Sequence, residues 1–538
     1  MQFLARERNF SLAKFRYFLI SIYNGNTVYR YRADEDATPD FTIPVDSEGR
    51  VVYFGINGRC FILNGAIGSF HDELPAWAVR ILGAMNLPAN ERSAEFRRLY
   101  RSSSGDKSKK FIEELKLFKN GLHPELREEP RNTRFQLNKP PHVFTVYISH
   151  GCNLACSYCI NRQGTFGGNT SFMSVETARN VVKFITRIAE SEQHEDITVN
   201  LYGGEPLLAP EAAYIVARGL QDLNYRKLRT TVHLVLATNG TIYNKKIFDV
   251  FAEFPRTSTV MVSLDGSRVV HDTNRPFAQG NESSYDSVIR TLTEMKHNTI
   301  PQSITCVVPP PYDYIAASEK LHVLGIRRLE IKQHINHIYG SSTMPGTINQ
   351  DFDLWRNNYL AYTDYYLDYL DRADPVIHSD RSSALLNSLA SILSTQADQY
   401  TPLACGIAET KIAIAADGVI IPCELFLDKK QFALGNVQAG LNDDNYHQFE
   451  RWLFAEGKHR TDVTKCRNCC VKRICGGGCY AESFDTSGRL QPYEDSVCRV
   501  VREKMMIDLY YVSELRKRHP GFFLRFAGVP DSENAPAT

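Results

Sequence analysis

The stretch FTVYISHGCNLACSYCINRQG, Phe144–Gly164, decides the fold. It opens as an apolar strand, Phe144–Ser149, and runs straight into a loop carrying Cys152, Cys156 and Cys159 in the spacing CX3CX2C. A structural zinc site takes four protein ligands. Three thiolates on one short loop suit a four-iron cluster better, because a cubane expects four ligands and the loop supplies three, leaving one iron open to bind something else. Taken alone, the spacing also fits three of the four ligands of a zinc site.

Downstream of this loop, strands alternate with helices. Strands are expected at Phe144–Ser149, Ile197–Tyr202, Val232–Ala237, Thr259–Leu264, Ser303–Val308 and Arg328–Ile331. Amphipathic helices lie between them. The first, Val175–Ala189, has Ser174 as its N-cap and an apolar stripe of Val175, Ala178, Val182, Ile185 and Ile188. Such alternation implies parallel strands joined by helical crossovers. Six strands predict an α/β fold with a partial (β/α)6 barrel over residues 143–345, rather than the closed ring of eight.

Residues 1–123 read as a separate small α+β domain. Strand-like runs at Phe15–Tyr23, Thr27–Tyr31, Val51–Phe54 and Cys60–Leu63 precede helical stretches at Trp77–Leu82, Ser93–Tyr100 and Lys109–Lys119. Residues 124–142 are proline-rich and mixed in charge, as expected of a linker. After the barrel, residues 346–400 form a helical bridge, in which Phe352–Ala373 sets Trp355, Tyr359, Tyr362, Tyr366 and Tyr369 at helical spacing. That stripe reads as core packing, with an electron relay as the alternative. Residues 401–511 form a cysteine-rich domain of loops and short strands, and residues 512–538 a tail ending in the aperiodic PDSENAPAT.

Lys and Arg number 62 against 61 Asp and Glu in 538 residues. Near-neutral charge argues against a chain built to coat nucleic acid or an anionic membrane. No run approaches the roughly 18 apolar residues of a membrane span, so neither partner is expected. Three of the thirteen cysteines sit in the 152–159 loop and eight lie between Cys405 and Cys498. Clustering of this kind, with no secretion signal, indicates metal ligation in a reducing compartment, here taken as the cytoplasm. Cys60 and Cys306 stand alone in apolar contexts and read as buried thiols.

CNLACSYC followed by Gly203-Gly204-Glu205-Pro206, Thr238-Asn239-Gly240 and SLDG at 263–266 resembles the radical S-adenosylmethionine (SAM) superfamily over about residues 143–335. The resemblance implies that the open iron chelates SAM and that reductive cleavage yields a 5′-deoxyadenosyl radical. In that setting Gly203 and Gly204 expose backbone to the ligand. Glu205 would accept from the SAM ammonium group and Pro206 would stiffen the turn. Asn239, Ser263 and Asp265 end successive strands at the same mouth, where they would contact SAM or substrate. Tyr158 matches an aromatic position expected to pack near adenine. His271, Asp272 and Arg275 resemble a further segment of these enzymes to which the sequence assigns no role.

The later cysteines read Cys405, Gly418-X4-Cys423, Cys466-X2-Cys469-X5-Cys475-X3-Cys479, then Cys498. This looks like the SPASM domain, which carries two auxiliary four-iron clusters in many peptide-modifying relatives. By that resemblance Cys405, Cys423 and Cys479 hold one auxiliary cluster, with its fourth ligand unassigned. Cys466, Cys469, Cys475 and Cys498 hold the other. Cys470 is either a spare thiol or an alternative ligand, and a zinc ribbon is the competing reading.

The resemblance therefore implies an enzyme with three [4Fe-4S] clusters and SAM that modifies a ribosomally made peptide, forming a thioether or carbon–carbon cross-link. The precursor peptide's leader would pair with an edge strand of the N-terminal domain, and a flavodoxin or ferredoxin would supply electrons. The enzymatic alternatives are formylglycine formation of the sulfatase-maturase type and other peptide oxidation or epimerisation. A non-catalytic iron–sulfur electron carrier or SAM-binding regulator is the alternative of another class. No catalytic base is assigned.

Overall fold

The computed structural model describes residues 41–44, 51–56, 59–64, 69–71 and 98 and then, with short gaps, residues 141–333, 348–372, 405–454 and 466–519. The expected strands before Phe41, the helices at 77–119 except residue 98, nearly all of the 124–142 linker, all of 373–404, Cys470 and the PDSENAPAT tail lie outside the described residues.

Four short strands, β1 (Phe41–Pro44), β2 (Val51–Ile56), β3 (Arg59–Asn64) and β4 (Ser69–His71), form an antiparallel meander in that order. Two of these match expected strands. Among the described residues β1 and β4 are the outer strands of this sheet.

The central sheet begins with β5 (Val143–Ser149) and continues through β6 (Asp196–Gly203), β7 (Thr231–Thr238), β8 (Ser258–Ser263), β9 (Gln302–Val308) and β10 (Leu329–Gln333). Each pairs in parallel with the next, giving the expected six-stranded open barrel. Crossovers are made by α1 (Val175–Glu190), α2 (Pro210–Gln221), α3 (Lys245–Glu253), α4 (Arg268–Asn274), α5 (Ser284–His297) and α6 (Tyr314–Val323). Ser174 caps α1 by accepting the amide of Thr177 at 3.0 Å. The buried stripe of α1 is Ala178, Val181, Phe184, Ile185 and Ala189, turned from the expected one because Val182 and Ile188 are only partly covered.

The strands alternate in burial. In β6, Ile197, Val199 and Leu201 are fully covered by helices, whereas Asn200 and Tyr202 line the partly open interior. Val232, Leu234 and Leu236 of β7 and Val260 and Val262 of β8 continue the covered layer, where each such side chain contributes roughly 1.5–3 kcal/mol. This outer layer holds the strand ends rigidly while their inner residues remain available to a ligand.

The sheet does not stop at β5. On its other side β11 (Lys411–Ile414) pairs in parallel with Val143–Val146, followed by the antiparallel strands β12 (Val419–Ile421), β13 (Gly435–Asn436) and β14 (Gly440–Leu441). The cysteine-rich region is thus sewn into the barrel sheet, and α8 (Asp443–Leu453) and α9 (Tyr480–Ser487) pack around it.

The aromatic helix α7 (Ile348–Arg372) lies beside α10 (Asp495–Arg518) in parallel. Tyr359 Oη donates to Asp508 at 2.7 Å, Tyr510 Oη to Asp364 at 2.7 Å, and Arg518 bonds Asp368 at 3.1 Å. Trp355, Tyr359, Tyr362 and Tyr366 are buried, and Tyr314 of α6 meets Tyr359 and Tyr362 with ring centroids 5.8 Å apart. The stripe packs, as the core reading has it. Helix α10 runs unbroken through residue 511, so residues 512–518 belong to it rather than to a tail.

Candidate functional site

The three-cysteine loop leaves β5 at the carboxyl end of the sheet, where ligands of parallel sheets collect. Three close backbone approaches fix its path. Gly204 N–H donates to Ser149 O at 2.9 Å and Glu205 N–H to Gly151 O at 2.8 Å. A Cβ on Gly203, whose φ is +152°, would lie 2.4 Å from Ser149 O. Only glycine permits this contact.

A second clamp comes from the chain after α4. Ala155 N–H donates to Pro276 O at 2.8 Å, Ser157 N–H to Asn274 O at 3.0 Å, and Ala278 N–H to Asn153 O at 2.9 Å. Leu154 bridges Phe277 in antiparallel register. Arg275, which the sequence left without a role, is thereby brought against the cysteine loop, whereas Asp272 accepts from Tyr285 N–H at 2.9 Å at the start of α5.

Polar side chains complete the site. Glu205 is fully buried; its carboxylate accepts from Leu207 N–H at 3.0 Å, Thr238 Oγ1 at 2.8 Å and Asn239 N–H at 2.7 Å. Burial pushes its carboxyl up to about 7 against the lowering effect of these donors. A carboxylate offers about four lone-pair sites, so most of its accepting capacity is turned inward on the ends of β6 and β7. Pro206 starts a short buried turn behind it. Asn239 donates from Nδ2 to Asn153 at 2.8 Å and to Cys152 Sγ at 3.6 Å.

Asp265, 1% exposed, accepts from Val307 N–H at 3.0 Å, Arg275 Nε at 2.9 Å and the Tyr158 hydroxyl. Arg275 Cζ lies 5.2 Å from the centre of the Tyr158 ring. The Tyr158 hydroxyl is therefore anchored to the barrel rather than pointing into open space. Ser263 ends β8, half-buried. Sequence reasoning missed Asn153 and Thr241, which bond each other at 2.8 Å beside Asn239; an Asn within CNLAC was the available signal. It also missed Tyr147 and Tyr202, which pack edge-on at 5.4 Å between the charges of Cys159 and Glu424.

Among the described residues no cysteine is joined in a disulfide. Burial pushes the Cys152 thiol up to about 11 and the Cys156 thiol up to about 12, with Cys159 adding to both. Arg275 opposes the rise at Cys156. The later cysteines fall into two neighbourhoods. Cys475 is raised to about 12 first by burial, then by Cys469, Cys466 and Cys498. Cys479 is raised to about 12 by burial, Glu482 and Cys405, and Cys423 is raised by burial, Glu424 and Cys479. Lys411 lies within reach of Cys423, Cys405 and Cys479 together. Among the described residues, no three Cys, His or carboxylate side chains close to the distance that would hold a single metal ion. Buried thiols of this kind fit an iron–sulfur group, since a bound cation deprotonates a coordinating thiol and reverses the cost of burying it.

Residues 146–318 match the Radical SAM superfamily. The chain carries a radical SAM domain over this stretch. That domain implies a [4Fe-4S] cluster and SAM. The chain resembles curated proteins over more than this domain. It is 24% identical over 353 residues to a cysteine-type anaerobic sulfatase-maturating enzyme of Clostridium perfringens strain 13, covering 62% of this chain and 86% of that one. A serine-type anaerobic sulfatase-maturating enzyme of Klebsiella aerogenes is 25% identical over 361 residues, covering 66% and 82%. Among solved structures, native anSMEcpe with bound AdoMet aligns with a TM-score of 0.54 at 19% identity, over 72% of this chain and 99% of that one. The same protein with AdoMet and the Cp18Cys peptide aligns at 0.52 and 20% identity. These likenesses are of fold, and they agree with the partial barrel described above. Among the described residues no helix is long and apolar enough to cross a membrane.

Proposed function

We propose that the enzyme removes a hydrogen atom from a side chain of a ribosomally made peptide and closes the resulting radical into a cross-link, thioether or carbon–carbon. The second hydrogen would leave as a proton to solvent and an electron that an auxiliary iron–sulfur cluster would accept. The observation that carries hydrogen abstraction is the three-cysteine loop, bonded on both sides to the barrel mouth.

Cys152, Cys156 and Cys159 would hold the [4Fe-4S] cluster. Bound there, the cluster and SAM supply the reductive cleavage that generates a hydrogen-abstracting radical. The chain's own residues do the positioning. Gly203 and Gly204 bring backbone to the ligand, and Glu205 locks the ends of β6 and β7 so that Asn239 faces Asn153 and Cys152. Asp265 fixes Tyr158 beside the loop, and Ser263 stands at the next strand end. Cys405, Cys423 and Cys479 would hold one auxiliary cluster and Cys466, Cys469, Cys475 and Cys498 the other, in agreement with the two neighbourhoods. A three-thiolate set leaves an iron for a substrate thiolate, which favours thioether chemistry.

A leader peptide would pair with an outer strand of the small sheet, β1 or β4. A flavodoxin or ferredoxin in a reducing cytoplasm would deliver the electrons. A second reading, oxidation of Cys or Ser to formylglycine, is favoured by the activity named for the relatives.

The test is co-expression with a small peptide encoded beside the gene, followed by fragment mass spectrometry. Loss of two hydrogens with missing fragments between two linked residues supports the cross-link. A product that reacts with hydroxylamine as an aldehyde overturns it in favour of the second reading.

A further inference from the structure

We propose that Arg275 is a positioning residue for the cluster of the three-cysteine loop: its guanidinium is a fixed positive charge opposite Cys156 that holds the cluster's reduction equilibrium toward the reduced state. The proposal rests on the reading that this loop holds the cluster.

The register of the clamp puts these two residues face to face. Ala155 and Ser157, on either side of Cys156, donate to Pro276 and Asn274, on either side of Arg275. With Leu154 bridging Phe277, the pattern makes Cys156 and Arg275 a directly opposed antiparallel pair without mutual backbone bonds, the arrangement in which side chains approach most closely.

The arginine has little freedom to leave. Its backbone N–H donates to His271 O at 2.7 Å and its carbonyl accepts from Ser284 Oγ at 2.7 Å. Its side chain is 8% exposed and bonded through Nε to Asp265, whose side chain is 0% exposed. Asp265 is itself held by Val307 N–H and the Tyr158 hydroxyl. The carboxylate therefore spends its charge on three donors, which leaves Arg275 the larger of the two influences at Cys156.

Reducing a buried cluster adds one negative charge where water screens poorly, so a fixed cation nearby favours the reduced form. This matters for a centre that must hand an electron onward. Neither Cys156 nor Arg275 needs to change protonation for the effect.

The test is an anaerobic redox titration of the full-length reconstituted protein, followed by electron paramagnetic resonance on the signal that SAM perturbs, which singles this cluster out from any other. Arg275→Gln is expected to lower the reduction equilibrium at least tenfold, 59 mV for a one-electron couple, and Arg275→Lys to restore most of it. Asp265→Asn, which removes the opposing negative charge, is expected to move the potential upward. A shift below tenfold in Arg275→Gln, or shifts of the same sign in both variants, overturns the proposal. Should Arg275→Gln fail to load, the Asp265→Asn shift decides, and an unchanged or lowered potential overturns it. Native protein with no SAM-responsive signal at all would instead sink the underlying cluster reading.

Discussion

Glu205 Oε2 accepts the amide of Asn239 at 2.7 Å and so ties the end of β6 to the end of β7. Its other oxygen takes Thr238 and Leu207. An amide at this position turns a donor toward donors, leaving at least one buried N–H or O–H unmatched at a cost of about 1–3 kcal/mol. Glu205→Gln should therefore unfold at lower denaturant and weaken the change that SAM makes in the cluster's paramagnetic signal. Unaltered SAM response in a destabilised variant would confine Glu205 to a purely structural part.

Gly204 packs backbone to backbone. A Cβ there would stand 2.2 Å from Gly151 O and 2.8 Å from Gly164 Cα, and neither neighbour has a flexible side chain to move aside. Gly204→Ala should displace the three-cysteine loop, costing it its iron while the later cysteines keep theirs. Iron and sulfide quantitation, read with the SAM-responsive signal, checks this. Full loading with an unchanged signal would contradict the close-approach argument.

The barrel was legible because its strands alternate covered and lining residues, and each expected strand falls within about two residues of the observed one. The loop and strand-end motifs were legible for the same reason: they are local. What escaped was long-range. Nothing in the four residues Lys411–Ile414 announces pairing with Val143–Val146 across more than 260 positions. The same holds for Arg275, whose role comes from the register of a clamp against Cys156, and for Tyr158, whose hydroxyl finds Asp265. The α1 stripe was misplaced because Val182 and Ile188 are apolar but face the edge of the layer.

His271 carries the acid sensitivity of the barrel mouth. Its ring is fully buried, Nδ1 accepts the amide of Asp265 at 3.1 Å, and Nε2 has no partner among the described residues. Burial pulls it down to about 4, against Asp265 and Asp272, which raise it, and alongside Arg275, which lowers it. The unfolded chain then binds this proton first as the pH falls below 6.5, so stability is lost between about 6.5 and 4, by up to about 3 kcal/mol. His271→Asn keeps an acceptor for Asp265 and cannot be protonated in this range. Urea midpoints measured from pH 7 to 4 should fall less steeply in the variant than in the native chain, and parallel slopes would refute the assignment.

The two neighbourhoods of later cysteines make a separable prediction about metal content. Lys411 senses Cys423, Cys405 and Cys479, whereas Cys475 senses Cys469, Cys466 and Cys498. If each set binds its own [4Fe-4S] cluster, replacing Cys423 or Cys475 by Ala should each remove about four irons per chain, and the double replacement about eight. Iron and acid-labile sulfide should fall together, with the SAM-responsive signal retained. Zinc in place of the missing iron in the native protein, or equal losses from the single and double variants, would show that the later cysteines bind one centre or another metal. Because Cys479 of the first set follows Cys475 of the second by four residues in the chain, chain proximity alone predicts similar outcomes for Cys475→Ala and Cys479→Ala. The spatial grouping predicts that each abolishes a different cluster, and distinct spectra for the two variants would decide between them.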